Sequence, residues 1–308
     1  MGKTAFIFPG QGAQYIGMGK DFYDKYEDSK EIYQKASDIL GIDMAALCFE
    51  ENEKINITEY TQIAMVTTCM AMLVQVMKSG IKSKVSAGLS LGEYPALMAS
   101  GVMSFEEGIK VVRERGILMQ EAVKPGEGAM SAVLGMENVL IEKVLKDIKG
   151  IVTVANYNCP GQTVISGQKK AVEAAGEELV KNGAKRVIPL KVSGPFHSPM
   201  LKEAGEKLYE ALGDIQMNEP VVPYTANVNA ELIHKKDGIR NLLAKQVYSS
   251  VKWQQSVEHI IAAGVDTFIE IGPGKTLSAF IKKIDKSCKV INVEKIEDLD
   301  KLQEVVGC

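Results

Sequence analysis

The stretch Val85-Ser86-Ala87-Gly88-Leu89-Ser90-Leu91-Gly92-Glu93-Tyr94-Pro95-Ala96-Leu97 leaves the backbone few choices. A β-prone run over residues 84–87 meets glycine, and apolar positions then continue at helical spacing through Leu97 and Met98. Glycines two before and two after Ser90 let a strand turn sharply into a helix, leaving the hydroxyl exposed at the tip. Backbone N–H groups at the helix start then face any negative charge that develops beside it. Ser90 is therefore the candidate nucleophile. The pentapeptide alone also suits an ordinary strand-to-helix turn, where Gly and Ser are common. Pro95 adds a condition: either the helical ladder begins nearer Glu93, or the first turn is loosened around the missing N–H.

The rest of the chain supplies a sheet for such a turn. Thr4-Ala5-Phe6-Ile7-Phe8 is an unbroken apolar run closed by Pro9-Gly10, which suits a strand buried on both faces of a parallel sheet. Helical patterns cover residues 19–26, 29–40 and 58–77, with Thr58 and Thr61 available as caps on the third. The apolar stretch 62–77 is broken by Thr67, Thr68 and Gln75, and reads as a buried helix too short to span a bilayer comfortably. Ser104-Phe105-Glu106-Glu107 opens another helix that runs to about Val123 and carries Arg113 and Arg115. Beyond Pro125 the pattern becomes strand 129–134, helix 138–148, strands 151–155 and 163–166, helix 171–182 and strand 186–190. That β-α-β-β-α-β order predicts a small ferredoxin-like domain inserted at residues 126–191. Residues 1–125 and 192–308 form the larger domain. Its later elements are a helix at 201–212, a strand at 221–226, helices at 239–248 and 251–263, and strands at 267–271 and 289–293. The predicted class is α/β, a mostly parallel sheet with helices on both faces, similar to a hydrolase sheet.

Two phosphate-binding look-alikes fail on spacing. Gly10-Gln11-Gly12-Ala13-Gln14 follows the first strand, but a dinucleotide fingerprint needs glycine where Tyr15 stands. Gly272-Pro273-Gly274-Lys275-Thr276 lacks the glycine five residues before Gly274, where Ile269 lies, and reads as a plain strand-to-helix turn.

A formal charge of -3 and a pI near 5.8 give no basic excess for nucleic acid. Five scattered cysteines without C-x-x-C spacing argue against a disulfide framework or a zinc site. The N-terminus runs straight into a β-type segment with no signal-peptide pattern, so a cytoplasmic protein is expected, with small molecules or proteins as partners.

A serine hydroxyl needs a base, and histidine is the usual one near neutral pH. Of three histidines, His234 lies in a polar stretch and His259 on an amphipathic helix. His197, in Ser193-Gly194-Pro195-Phe196-His197-Ser198-Pro199, is fixed by flanking Gly and Pro and is the preferred base. No aspartate between the Ser90 turn and His197 has a context that singles it out as a third member. Asp147 falls in the inserted domain, and Glu93 has a structural reason at a helix start. A dyad whose imidazole is oriented by a neutral acceptor is the more economical arrangement.

The motifs F-P-G-Q-G-A-Q (8–14), G-L-S-L-G-E-Y (88–94), R-G (115–116), N-Y-N-C-P-G-Q (156–162), G-P-F-H-S (194–198) and Q-V-Y-S-S-V-K-W (246–253) occur in order. Together they resemble malonyl-CoA:acyl carrier protein transacylases, over nearly the whole chain. The resemblance implies that Ser90 attacks the malonyl thioester and His197 takes its proton. It assigns the oxyanion hole to the backbone N–H groups of Gln11 and Leu91, and the malonyl carboxylate to Arg115. Gln246 matches the position whose backbone carbonyl steadies the histidine, while Asn158 and Gln162 receive no role. Arginine suits such a task because a planar guanidinium pairs bidentately with a carboxylate. Arg113 and Arg115 lie about 200° apart on a helix, so only one can face Ser90, and Arg113 fits a solvated face. Phe196 beside the base resembles malonyl-selective relatives.

The implied reaction supplies extender units for fatty-acid synthesis, with malonyl-CoA as substrate, acyl carrier protein as partner and no bound cofactor or metal. A monomer is expected, acting on neither nucleic acid nor membrane. A polyketide route with separate acyltransferases fits the same residues. Lys185, Arg186, Lys191, Lys275, Lys282 and Lys283 are candidates for CoA phosphates or an acidic carrier, and each also fits plain surface charge. A thioesterase or esterase would use the same serine and histidine, and a carrier-binding module without catalysis is the third reading.

Overall fold

The computed structural model describes residues 3–303. Among the described residues, ten strands divide between two sheets. The first contains β1 (Lys3–Phe8) and β2 (Val85–Gly88). The second is built from β3 (Gly128–Leu134), β4 (Val152–Cys159), β5 (Gln162–Gln168) and β6 (Arg186–Pro189). The chain then returns to the first sheet with β7 (Tyr224–Thr225), β8 (Leu232–Ile233), β9 (Val265–Ile271) and β10 (Lys289–Val293).

The larger sheet has the order β10-β9-β1-β2-β7-β8. All its neighbours are parallel except the β7–β8 edge pair. Alternation along β1 shows why it is apolar throughout: Ala5 and Ile7 join one buried cluster with Phe268, Trp253 and Leu277, while Phe6 and Phe8 join the other. Helices therefore cover both faces, as the sequence pattern predicts.

The helix Thr58–Lys78 runs through the middle of the larger cluster and is buried on nearly every side. Of its most apolar stretch, 83% is buried, which is the environment of a core helix. One of its buried polar side chains pairs with a neighbouring helix: Gln75 Nε2 donates to Ser29 Oγ at 3.0 Å, and that hydroxyl donates to Ala71 O at 2.8 Å. The expected caps are corrected. Ile57 occupies the N-cap position, Thr58 Oγ1 pairs with Ser193 Oγ at 2.6 Å, and Thr61 Oγ1 donates to Ile55 O at 2.6 Å. Ser104 does cap its helix, Phe105–Glu121, by accepting from Glu107 N–H at 3.1 Å.

Three local expectations change. The strand anticipated at 221–226 shrinks to two residues, because Pro223 has no N–H for the ladder and Val221 is exposed. A helix over Met44–Phe49, capped by Asp43, has no counterpart in the sequence reading. β4 continues to Cys159 through two register irregularities, beyond its anticipated end at 155. The Gly272–Thr276 turn leads into the helix Thr276–Ile284, whose N-terminal N–H groups are taken by the chain's own Glu270 carboxylate. An acceptor already sits where a phosphate would have to go.

The smaller sheet has the order β4-β5-β3-β6, antiparallel throughout. Helices Asn138–Lys146 and Lys169–Lys181 cover one face through Ile141, Val144, Val172 and Leu179. From the other face, Met130, Ala132 and Val164 turn toward the larger unit. Tyr157 N–H to Val251 O (2.9 Å) and Val251 N–H to Ala155 O (2.8 Å) stitch β4 to the segment before the helix Trp253–Ala262.

Gly88 and Gly92 close the strand-to-helix turn back to back: a Cβ on Gly88 would fall on the Gly92 carbonyl, and one on Gly92 would fall on the Phe8 carbonyl. Both obstacles are backbone, which cannot step aside as a side-chain tip can. Gly92→Ala is expected to destabilise the protein by about 3 kcal/mol, read as a lowered denaturation midpoint at unchanged slope.

Candidate active site

Between β2 and the helix Glu93–Ala99 the chain makes a single 3-10 turn over Ser90–Gly92. The α-helical ladder begins at Glu93, so Pro95 is its third residue, where a missing N–H removes no intrahelical bond. Ser90 itself has φ of 53°, a left-handed conformation costly for a residue with a Cβ. Two side chains hold it there. Asn227 Oδ1 accepts from Ser90 N–H at 2.7 Å while its Nδ2 donates to Gly88 O at 2.7 Å, and Gln246 Nε2 donates to Ser90 O at 2.8 Å.

His197 reaches the serine from a loop 107 residues further along the chain. It too is left-handed, with φ of 57°, and its N–H donates to Val247 O at 3.1 Å. Its Nε2 lies 2.6 Å from Ser90 Oγ, and its Nδ1 lies 2.7 Å from the backbone carbonyl of Gln246. A carbonyl only accepts, so Nδ1 carries the ring proton and Nε2 presents a lone pair to the hydroxyl. Burial, followed by the nearby Arg115 charge, pushes the imidazole down to about 4. It is a neutral base at physiological pH. His234 and His259 are exposed and far from this arrangement in role; His259 Nδ1 pairs with Ala230 O.

Arg115 is 1% exposed at the site. Its Nη2 donates to Ser90 Oγ at 3.3 Å and to Gln246 Oε1 at 2.9 Å, and its Nη1 donates to Gln62 Oε1 at 2.7 Å. Nε has no partner among the described residues, and Tyr94 presents its ring 5.4 Å from the guanidinium. All direct holders are neutral, so a buried cation keeps unused donor capacity beside the hydroxyl. Arg113 points the other way, as the helical angle requires. Its expected solvated face is corrected, however: it is half-buried, paired with Glu59 Oε2 at 2.6 Å and stacked on Tyr60.

These groups lie in a cavity of about 660 Å³ between the two sheets. Gln11 and Leu91 both line it. The first bond of the 3-10 turn is Gly92 N–H to Leu89 O, so Leu91 N–H precedes it and is not used inside the turn. Phe196 lines the wall beside the base, and Met130, Ala132 and Val164 of the smaller sheet form an apolar cover. Asn158 is buried there with Oδ1 unpaired among the described residues, whereas Gln162 accepts from Lys283 Nζ at 3.3 Å. Of the cationic candidates Lys191 lines the cavity, and Lys282 is tied to the carbonyls of Lys286 and Cys288. Lys185, Arg186 and Lys275 are exposed.

Residues 5–304 match the family model described as the acyl transferase domain. The chain belongs to the acyl transferase family. It is 45% identical over 304 residues to the malonyl CoA-acyl carrier protein transacylase of Bacillus subtilis, covering 97% of this chain and 96% of that protein. Among solved structures, the transacylase of the same description from Clostridium perfringens superimposes with a TM-score of 0.96 at 48% identity, covering 99% of this chain and 97% of that one. A malonyl-transacylase in complex with its type II polyketide acyl-carrier protein, PlMCAT:AntF, gives a TM-score of 0.96 at 37% identity, covering 98% and 99%.

Three participants of this acyltransferase site went unnoticed in the sequence. Gln62 has no mark in the sequence beyond being polar at the start of an apolar stretch. Asn227 follows β7 at the carboxyl end of a parallel strand, the edge where open α/β sheets place ligands, yet nothing in its immediate context marks it. The side chain of Gln246, as opposed to its carbonyl, became visible only through its contacts.

Because His197 is neutral above about 4, the reaction of Ser90 with a neutral fluorophosphonate is expected to stay level from about pH 8 to about pH 5. It should then fall as pH drops through about 4 and the base is protonated. A midpoint near the ordinary histidine value, about 6.5, would contradict a buried, desolvated base.

Proposed function

We propose that the chain transfers a malonyl group from malonyl-CoA to the phosphopantetheine thiol of acyl carrier protein through a serine ester. The observation that carries this reading is the meeting, at one buried point, of Ser90 Oγ with His197 Nε2 at 2.6 Å and Arg115 Nη2 at 3.3 Å. A nucleophile, its base and a receiver for a distal carboxylate are the three groups such a transfer needs.

Ser90 Oγ attacks the thioester carbonyl as His197 Nε2 takes its proton, and the N–H groups of Gln11 and Leu91 receive the oxyanion. Collapse breaks the C–S bond, and the CoA thiolate leaves with the proton held by His197. The carrier thiol then gives its proton to His197 and attacks the serine ester through a second tetrahedral intermediate, restoring the hydroxyl. Gln246 O stabilises the protonated ring each time by accepting from Nδ1. Neither half requires a metal or a redox cofactor in this scheme. Arg115 holds the malonyl carboxylate, and the apolar cover from Met130, Ala132 and Val164 keeps water from the ester. Lys191, exposed at the cavity, suits an acidic carrier or CoA phosphates.

In the same reading, residues 126–191 are a ferredoxin-like domain inserted into a catalytic domain made of 1–125 and 192–308. The strand order β4-β5-β3-β6 with two helices on one face supports it. The protein acts as a cytoplasmic monomer supplying extender units for fatty-acid synthesis, without engaging nucleic acid or membrane.

Intact-protein mass spectrometry after mixing with malonyl-CoA separates the readings. A lasting malonyl adduct on Ser90, discharged on adding holo acyl carrier protein and absent in Ser90→Ala, is the expected result. Turnover without an acceptor would mark a hydrolase, and no adduct would leave only a binding role. Arg115→Ala is expected to slow malonyl transfer roughly 100-fold and to admit acetyl-CoA or raise hydrolysis in steady-state assays.

A further inference from the structure

Glu93 takes no part in the steps above, yet it is fully buried directly behind them. Its Oε2 accepts from Gln246 Nε2 at 2.7 Å and from Asn227 N–H at 3.3 Å. A carboxylate can only accept, as can the Ser90 carbonyl that shares the same donor at 2.8 Å, so the Gln246 amide meets both through Nε2, and Glu93 supplies the charged member of that pair. The opposite end, Oε1, is thereby turned to Arg115, whose Nη2 donates to it at 2.9 Å. With the amide turned over, Nε2 would confront a guanidinium that has only donors, and Oε1 would confront the carboxylate. Two attractive contacts would become two repulsive ones.

We propose that Glu93 is a positioning residue: it fixes the amide orientation of Gln246 and through it aims Arg115 at the distal carboxylate of the acyl group, so that preference for carboxylated over neutral acyl thioesters depends on it. The inference rests on the reading of Arg115 given under Proposed function. It also explains an apparent waste, a buried acid near a buried base that does not touch it. Direct contact between Glu93 and Arg115 would neutralise the receiver, whereas one intervening amide aims the cation and leaves its donors available. Burial pushes the Glu93 carboxyl up to about 7. Its Oε1 has no partner among the described residues and can take the proton, so Oε2 goes on accepting from Gln246 in both states. His197 is held by a different atom, the Gln246 backbone carbonyl, and Ser90 keeps Asn227 Oδ1 on its N–H as well as Gln246 Nε2 on its carbonyl.

The test compares acylation of Ser90 by malonyl-CoA and acetyl-CoA in the full-length wild type, Glu93→Ala and Glu93→Gln. Malonyl labelling of the wild type is measured first; its absence would sink the functional reading itself. Given that labelling, Glu93→Ala should raise KM for malonyl-CoA about tenfold with kcat within about twofold, and lower the malonyl-to-acetyl selectivity about tenfold. Glu93→Gln, isosteric and able to offer its own carbonyl to Gln246 in one of two orientations, should fall between. Unchanged selectivity in both variants, equal KM increases for both thioesters, or failure of both variants to fold would overturn the proposal, the last by making the role purely structural.

Discussion

A serine forced into a left-handed backbone conformation is the constraint from which the rest of this site follows. At φ of 53° Ser90 stands where a Cβ is unwelcome, at a cost of about 1–2 kcal/mol. The conformation persists because neighbours over-determine it. Gly88 and Gly92 leave no atom between two backbones in contact, Asn227 spans the turn from Gly88 O to Ser90 N–H, and Gln246 holds Ser90 O from the other side. Each of these clamps comes from a different part of the chain. The sheet order β10-β9-β1-β2-β7-β8 brings them together by placing β2 between β1 and β7.

Neutral groups do much of the electrostatic work. Where a carboxylate might have oriented the imidazole, a backbone carbonyl does so, which leaves His197 buried, uncharged and pushed down to about 4. Arg115 is likewise held by two glutamine side chains, and the nearest acid is kept one side chain away. A buried cation without a touching counter-ion is expensive to maintain, and its attraction is open to any anionic group that enters the cavity. Gln246 ties both halves together, since one residue accepts from the imidazole through its carbonyl and from Arg115 through its amide.

The smaller sheet contributes differently. One of its faces is closed by two helices, while the other supplies apolar residues to the cavity. Its strand β4 is bonded into the larger unit through Val251, so the cover is anchored near the site and is more than a loosely attached lobe. Ser90 opens onto the cavity under that cover, where apolar walls strengthen charge interactions.

Much of this is legible in the amino-acid order. The apolar run of β1, the paired glycines around Ser90 and the rigid Gly-Pro setting of His197 each encode a local conformation, and local conformation is what short sequence patterns can specify. The strand at β7 was overextended because Pro223 removes a donor that periodicity alone does not register. Thr58 and Thr61 looked like caps, but their hydroxyls found partners outside the helix end. The amino-acid order by itself determined the candidate nucleophile, the candidate base and the class of sheet that presents them. Only the tertiary structure decided which far-off side chains hold them, because Asn227, Gln62, Glu93 and the Gln246 amide act through hydrogen bonds across 19 to 156 positions, and such contacts leave no periodic trace along the chain.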